Sequence, residues 1–485
     1  MEMTNKKNLI RNKSYVNGKW INGLSQKTFE VRNPLDNKVI TNVPDLGRED
    51  AKHAVKAAHE ALTGWKKETV EYRANLLKKL YHLQMRFIEE LAYILTLEQG
   101  KPLSESKGEI KYGASFIEWF SEEARRTYGD TIPSNEADKK IMTIKQPIGV
   151  VAAITPWNFP NAMIARKIAP ALAAGCTVVV KPAEGTPLSA LALAVLAEEA
   201  GFPKGVINII TTDQPVEVGL ELTTNPMVRK VSFTGSTAVG KVLTKQCADT
   251  VKKVSMELGG NAPFIVFDDA SIDAAVEGAL ASKFRNSGQT CICTNRIFVQ
   301  DRVHNEFIEK LAQAVQKMKI GNGLENDIEI GPLINTKAVN FLIELVEDAT
   351  QKGAKVITGG NGINRTGNFY PPTVISNVND SMQIYHKEIF GCIAPVIRFN
   401  DEEEVISRAN DTPYGLASYF YSNNYARVWR VAEALDYGMV GVNTGKISST
   451  VAPFGGVKES GIGREGSKYG IDEYLEIKYI CLGGL

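Results

Sequence analysis

Hydrophobic spacing divides the chain into a helical first part and a long alternation of short strands with helices. Over residues 50–98 apolar positions recur every three or four residues, the period of amphipathic helices. The pattern changes at residue 148, where IGVVAAIT (148–155) is a short continuous apolar run and predicts a strand. AMIARKIAPALAAG (162–175) predicts a helix closed by Gly175, since glycine adopts the left-handed conformation of a helix end without steric cost. TVVVK (177–181) predicts the next strand. Thr186-Pro187 then predicts a helix start, with Thr186 as N-cap and Pro187 at the first helical position, running to Gly201. VINII (206–210) and KVSFTG (230–235) predict further strands, each followed by a helical stretch.

Strands alternating with helices of this length imply a parallel sheet. Because the strands are apolar throughout, the sheet is expected to be covered on both faces. A second region of the same kind runs from Asn261 past residue 440, with a helix over 271–284 and a strand over 296–300. The last apolar segment, EYLEIKYICL (473–482), is strand-like but far in sequence from either sheet, and is free to pair with a partner subunit.

A chain of 485 residues exceeds what one core supports, so two or three domains are expected. Hydrophobic residues at 44% and charged residues at 23% are ordinary for a soluble protein, and a formal charge of +1 offers no broad attraction to nucleic acid or membrane. No apolar run reaches the roughly 18 residues of a membrane span. The start, MEMTNKKNLIRNK, is basic but lacks the apolar stretch of a signal peptide, so cytoplasmic residence is the expectation. The six cysteines (Cys176, Cys247, Cys291, Cys293, Cys392, Cys481) are too few for a disulfide scaffold. They form no CxxC pair, and none of the five histidines has metal-ligand spacing to a cysteine, so no metal site is expected.

Four segments carry candidate chemistry. FTGSTAVG (233–240) follows a strand and opens a helix, where main-chain N–H groups attract phosphate and glycine permits close approach. Its GxxxxG spacing also fits a plain strand-to-helix turn. GQTCIC (288–293) sets Cys291 between a polar glycine-bearing loop and an apolar strand; most cysteines are inert packing groups, but loops on a rigid scaffold are where nucleophiles are found. MELGGN (256–261) places Glu257 among apolar residues and glycines, where desolvation raises a carboxyl pKa into the range of a general base. TPWNFP (155–160) ends a strand with Asn158, either a turn former or an amide donor to an oxyanion.

Taken together, TPWNFP, KPAE, FTGS, ELGGN, GQTC, KEIFG and PFGGVKESG resemble the aldehyde dehydrogenase superfamily, in its order and with similar separations across nearly the whole chain. One departure is Cys392, where the family usually has proline after the FG of KEIFG. The resemblance implies an α/β fold with a Rossmann-like parallel-sheet cofactor domain (1–125 and 145–258) and an α/β catalytic domain (259–458). A small β oligomerisation domain (126–144 and 459–485) then makes a homodimer or homotetramer. It implies Cys291 as nucleophile, Glu257 as general base and Asn158 as oxyanion donor. Thr155, Pro156, Trp157, Lys181, Glu184, Gly235, Ser236, Glu388 and Phe390 correspond to cofactor-contacting positions.

The strings ASKFRNSGQTC, GREGSKYG and EYLEIKYIC resemble the branch that oxidises succinate semialdehyde. There Arg166, Arg285 and Ser448 correspond to positions that grip the far carboxylate of the substrate, so the expected partner is a small aldehyde bearing a carboxylate. Succinate semialdehyde is the expected substrate and glutarate semialdehyde its nearest competitor. An acylating relative would not need Glu257, and a relative that kept the fold without activity would be free to lose Cys291 or Glu257. Glu184 faces the adenosine ribose in the family, which favours NAD, while the Lys181 charge leaves NADP usable. Cys293 lies two residues from Cys291, within about 7 Å at Cα, so a reversible Cys291–Cys293 disulfide is a further expectation.

Overall fold

The computed structural model describes residues 8–362 and 366–485, so most of the basic start read above, residues 1–7, lies outside the described residues. The first sheet has eight strands. Five of them, Val150–Ile154, Thr177–Lys181, Ile207–Ile209, Val228–Thr234 and Lys253–Glu257, are parallel to their neighbours in this set. Antiparallel strands close its edges: Ser14–Val16 with Lys19–Ile21 on one side and Gly461–Ile462 on the other. Side-chain alternation explains why these strands read as apolar throughout. Val151 and Ala153 enter one core, while Val150, Ala152 and Ile154 of the same strand enter another on the opposite face.

The second sheet has seven strands and is parallel apart from the pairing of Lys355–Thr358 with Thr373–Ser376. Its centre is Thr294–Gln300 beside Ala262–Val266, with the fully buried Ala417–Tyr421 next to the latter. Both sheets therefore take the architecture implied by the alternating pattern. A three-stranded antiparallel sheet and a two-stranded one, Thr28–Arg32 with Val39–Pro44, complete the fold.

Two expectations need correction or completion. The helix expected at Thr186 begins at Leu188, with Pro187 in the capping position. Thr186 does not cap it: its hydroxyl is buried without a hydrogen-bond partner among the described residues. The cap comes from Glu98, at the end of the helix Ile88–Gln99. Its carboxylate accepts from Leu188 N at 2.7 Å, Ser189 N at 2.8 Å and Ser189 Oγ at 2.5 Å. A buried carboxyl offers a stronger acceptor for the orphan N–H groups than a threonine hydroxyl. The C-terminal strand Leu475–Leu482 has a partner within its own chain. It runs antiparallel along Lys140–Pro147, from Leu475 opposite Pro147 to Leu482 opposite Lys140. That strand crosses the border expected at 144, and Gly461–Ile462, expected outside the cofactor domain, joins the eight-stranded sheet. Gly175 closes its helix at φ 96°, as read from the sequence. Among the described residues no helix is long and apolar enough to cross a membrane.

Removing the Glu98 cap leaves buried N–H groups without an acceptor. Glu98→Ala is expected to lower unfolding stability by about 1–2 kcal/mol, with Glu98→Gln keeping part of it. Urea titration at constant m-value is the measurement, and an unchanged midpoint for Glu98→Ala would remove Glu98 from the capping role.

Candidate active site

Strand ends and the loops after them meet between the two large sheets, around a cavity of about 240 Å³. Cys291 lines it. The chain reaches Cys291 through a tight turn in which Asn286, Ser287 and Gly288 all have positive φ, 52°, 54° and 79°. The strand Thr294–Gln300 follows directly. Two glycines allow this loop its close neighbours. A Cβ on Gly260 would stand 2.4 Å from the Cys291 carbonyl oxygen, and one on Gly288 would stand 2.2 Å from that of Gly391. The ELGGN and KEIFG segments are thereby brought onto the loop that carries Cys291.

Asn158, Pro156 and Trp157 reach the cavity from the loop after Val150–Ile154. The Asn158 amide donates to Gln289 O at 3.0 Å, two residues before Cys291. Trp157 meets the Phe390 ring edge-on at 5.4 Å between centroids. Gly235, Ser236, Glu388, Phe390, Arg166, Arg285 and Ser448 line the same cavity.

Glu257 ends the strand Lys253–Glu257 and does not line the cavity itself. Burial pushes its carboxyl up to about 8, with the Glu465 charge adding to the shift against Arg166, Lys167 and Arg464. Its Oε2 has no hydrogen-bond partner among the described residues. Burial, and then the nearby Glu257 charge, push the Cys291 thiol up to about 12. Both effects favour the protonated thiol.

Arg166 is 2% exposed, on the helix Ala162–Ala174. It is paired internally: Nη2 lies 2.6 Å from Glu465 Oε2, and the guanidinium stacks 4.0 Å from the Phe454 ring centroid. The surface ion pair that is the usual fate of an arginine is thus replaced by a buried one. The approach to Glu465 is not aligned as a hydrogen bond, so Nε and Nη2 remain without such a partner among the described residues. Arg285 packs its guanidinium 5.1 Å from the Phe159 ring centroid.

Sequence reading missed Tyr112. It lies in the helix Leu103–Glu123, lines the cavity, and its hydroxyl is buried without a hydrogen-bond partner among the described residues. Its electrostatic neighbours are Arg166 and Arg285. It escaped notice because it lies outside the helical stretch read over 50–98 and belongs to none of the motif strings. Cys293 faces away from solvent, its thiol 3.3 Å from Lys283 O, and both Cys291 and Cys293 are free thiols. Cys392 is buried, with its thiol 3.4 Å from Tyr370 O.

Lys181 and Glu184 do not line the cavity; they follow at the carboxyl edge of the first sheet, 3.7 Å apart, Lys181 buried and Glu184 half exposed. Ser236 caps the helix Thr237–Ala248, accepting from Val239 N. Thr155 and Thr234 mark the ends of neighbouring strands there, and both hydroxyls are buried without partners among the described residues. Glu388 accepts from Gly260 N at 3.0 Å, and burial pushes its carboxyl up to about 7. Orphan hydroxyls beside a helix N-terminus at the carboxyl ends of parallel strands fit a dinucleotide.

Residues 20–480 match the aldehyde dehydrogenase family, to which the chain belongs. It is 57% identical over 479 residues, 99% of each chain, to the succinate-semialdehyde dehydrogenase [NADP(+)] GabD of Escherichia coli. It is 58% identical over 477 residues to a glutarate-semialdehyde dehydrogenase of Pseudomonas aeruginosa, covering 98% of this chain and 99% of that one. A crystal structure of an E. coli NADP dependent enzyme superposes with a TM-score of 0.98 at 57% identity over 99% of each chain. The fold is that of the aldehyde dehydrogenases.

The raised Cys291 pKa has a direct chemical readout. Alkylation of the enzyme without cofactor by iodoacetamide should be slow at pH 7 and accelerate with pH through 10. A plateau below pH 9 would show a thiolate that the buried environment does not allow.

Proposed function

We propose that this aldehyde dehydrogenase oxidises succinate semialdehyde to succinate, with Cys291 as nucleophile, Glu257 as general base and Asn158 as oxyanion donor. The observation that carries the reading is the composition of one cavity. It holds Cys291 and Asn158 together with two arginines, Ser448 and the unpartnered Tyr112 hydroxyl. A guanidinium matches a carboxylate in charge and geometry. An aldehyde with a carboxylate at its far end is therefore gripped at one end by Arg166, Arg285, Ser448 and Tyr112 and attacked at the other.

Glu257 takes the Cys291 proton and passes it to solvent, and the thiolate adds to the aldehyde carbon. The tetrahedral oxyanion is held by the Asn158 side-chain amide and the Cys291 main-chain N–H. A bound nicotinamide dinucleotide supplies the hydride acceptor that turns this adduct into a thioester. Glu257 then takes a proton from water, the hydroxide attacks the thioester carbon, the C–S bond breaks, and Glu257 returns the proton to the departing Cys291 sulfur, leaving the carboxylic acid and the free thiol. The buried, partnerless Glu257 oxygen and its raised pKa suit a base working near neutrality. In this reading residues 126–144 and 459–485 are the oligomerisation segments of a homodimer or homotetramer. Glutarate semialdehyde is the second reading, favoured by the near-equal identity to an enzyme of that name.

Steady-state rates on succinate semialdehyde, glutarate semialdehyde and butanal test the substrate. Arg285→Ala should cost the acidic aldehydes about 1.5–3 kcal/mol in kcat/KM and leave butanal nearly unchanged, whereas Arg166→Ala, which also takes a partner from Glu465, should slow all three and the acidic aldehydes most. Cys291→Ala should abolish all three activities. An unaltered preference for acidic aldehydes in both arginine variants defeats the reading.

For the cofactor we propose NAD as preferred and NADP as usable. Glu184 stands where a carboxylate accepts from ribose hydroxyls and repels a 2′-phosphate. Against this stand the buried Lys181 charge and the relative whose name specifies NADP(+). The ratio of kcat/KM for the two cofactors should favour NAD and shift towards NADP in Glu184→Ser. A strong NADP preference that ignores this substitution would remove Glu184 from the choice.

A further inference from the structure

A polar cluster lies beside the cavity around Phe159, whose ring meets both Arg285 and Lys101. The Asn158 main-chain carbonyl accepts two donors, Lys101 Nζ at 2.7 Å and Asn286 Nδ2 at 3.0 Å. Asn286 Nδ2 also reaches Gln289 O at 3.2 Å, the same oxygen that the Asn158 side chain binds at 3.0 Å. Two carbonyls of two distant loops are thus joined by two asparagine amides and a lysine. The Asn158 Nδ2 makes one hydrogen bond among the described residues, so its other N–H is left for the cavity it lines.

The parts of this cluster are themselves fixed. The Lys101 side chain is 0% exposed, 2.6 Å from Glu109 Oε2 and 3.8 Å from the Phe159 ring centroid. Glu109 Oε1 in turn accepts from Asn161 N and Ala162 N at the start of the next helix. Asn286 is held left-handed at φ 52°, and its own N–H donates to Glu105 Oε2 at 2.8 Å. Burying an ammonium is costly, and a left-handed side-chain-bearing residue is strained. Fold stability alone would be served by apolar packing. Both costs are instead spent on one carbonyl in the loop that carries the oxyanion donor.

We propose that Asn286 and Lys101 are positioning residues for the oxyanion donor: between them they clamp the Asn158 carbonyl and lock its side-chain amide to the nucleophile loop. The proposal rests on Asn158 acting as the donor beside Cys291. Neither residue touches the aldehyde; both act through Asn158. Their loss should slow thiohemiacetal formation and hydride transfer, leave the KM for the dinucleotide unchanged, and leave thioester hydrolysis in its normal ratio to the earlier steps.

A double-mutant cycle separates positioning from general structural support. Asn286→Gly removes the amide while permitting the positive φ. Lys101→Met combined with Glu109→Gln removes both buried charges, so no ion is left unpaired if one variant folds poorly. Single-turnover formation of reduced cofactor with succinate semialdehyde is followed in each, alone and with Asn158→Ala. Loss of an oxyanion donor lowers rates about 10²–10³-fold, which is expected for Asn158→Ala. Asn286→Gly and the Lys101/Glu109 pair should each lose about tenfold or more alone, yet change the rate less than about twofold once Asn158 is Ala. Equal losses in both backgrounds, or no loss in the wild-type background, overturn the positioning role while leaving Asn158 as donor. Full activity of Asn158→Ala itself overturns the donor assignment and the positioning role with it.

Discussion

One buried carboxylate governs the arrangement of charge behind the cavity. Glu465 takes two cations from a single helix, Lys167 at 2.7 Å and Arg166 at 2.6 Å. None of the three is reached by solvent to any extent, so removing Glu465 would leave two uncompensated cations in low dielectric, whereas either cation alone still pairs with it. Against the cost of burial, Lys167 and Arg166 hold the Glu465 carboxyl below its ordinary pKa. Through this group the segment after the seven-stranded sheet is bound to the first helix of the cofactor sheet. The same negative charge acts on Glu257 and keeps that carboxyl protonated more readily than burial alone would.

The site is therefore balanced between acids and bases. Its thiol and its two inner carboxyls, Glu257 and Glu388, are all driven towards their neutral forms by burial. Only the arginines keep a permanent charge. Arg166 is pulled in two directions, towards Glu465 within the protein and towards any anion in the cavity it lines. The specificity of such a site comes from a charge that is always present, and its reactivity from groups that change protonation state as the reaction proceeds.

Much of this was legible in the sequence, for identifiable reasons. Parallel strands covered on both faces print continuous apolar runs, so Val150–Ile154 and Thr177–Lys181 stood out. Glycines that admit a neighbouring backbone, such as Gly260 against Cys291, left their mark as ELGGN and GQTC. Partners that arrive from elsewhere in the chain leave no local mark. Nothing around Thr186 announces that Glu98, some ninety residues earlier, caps the helix after it. Nothing around Arg166 announces Glu465, and no motif marks Tyr112 as facing the same cavity. Periodicity reports which face a residue presents, and only tertiary structure reports what it meets there.

The bond between the Asn158 amide and Gln289 O spans 131 residues, and the Lys167–Glu465 pair spans 298. Loops of that length close slowly, since their entropy is lost before any contact rewards it. Helices and neighbouring strands form from local contacts, whereas the cavity exists only when both large sheets and the segment carrying Glu465 have docked. The cavity, which sets Cys291 beside Asn158, is thus a property of the assembled chain rather than of any one of its parts.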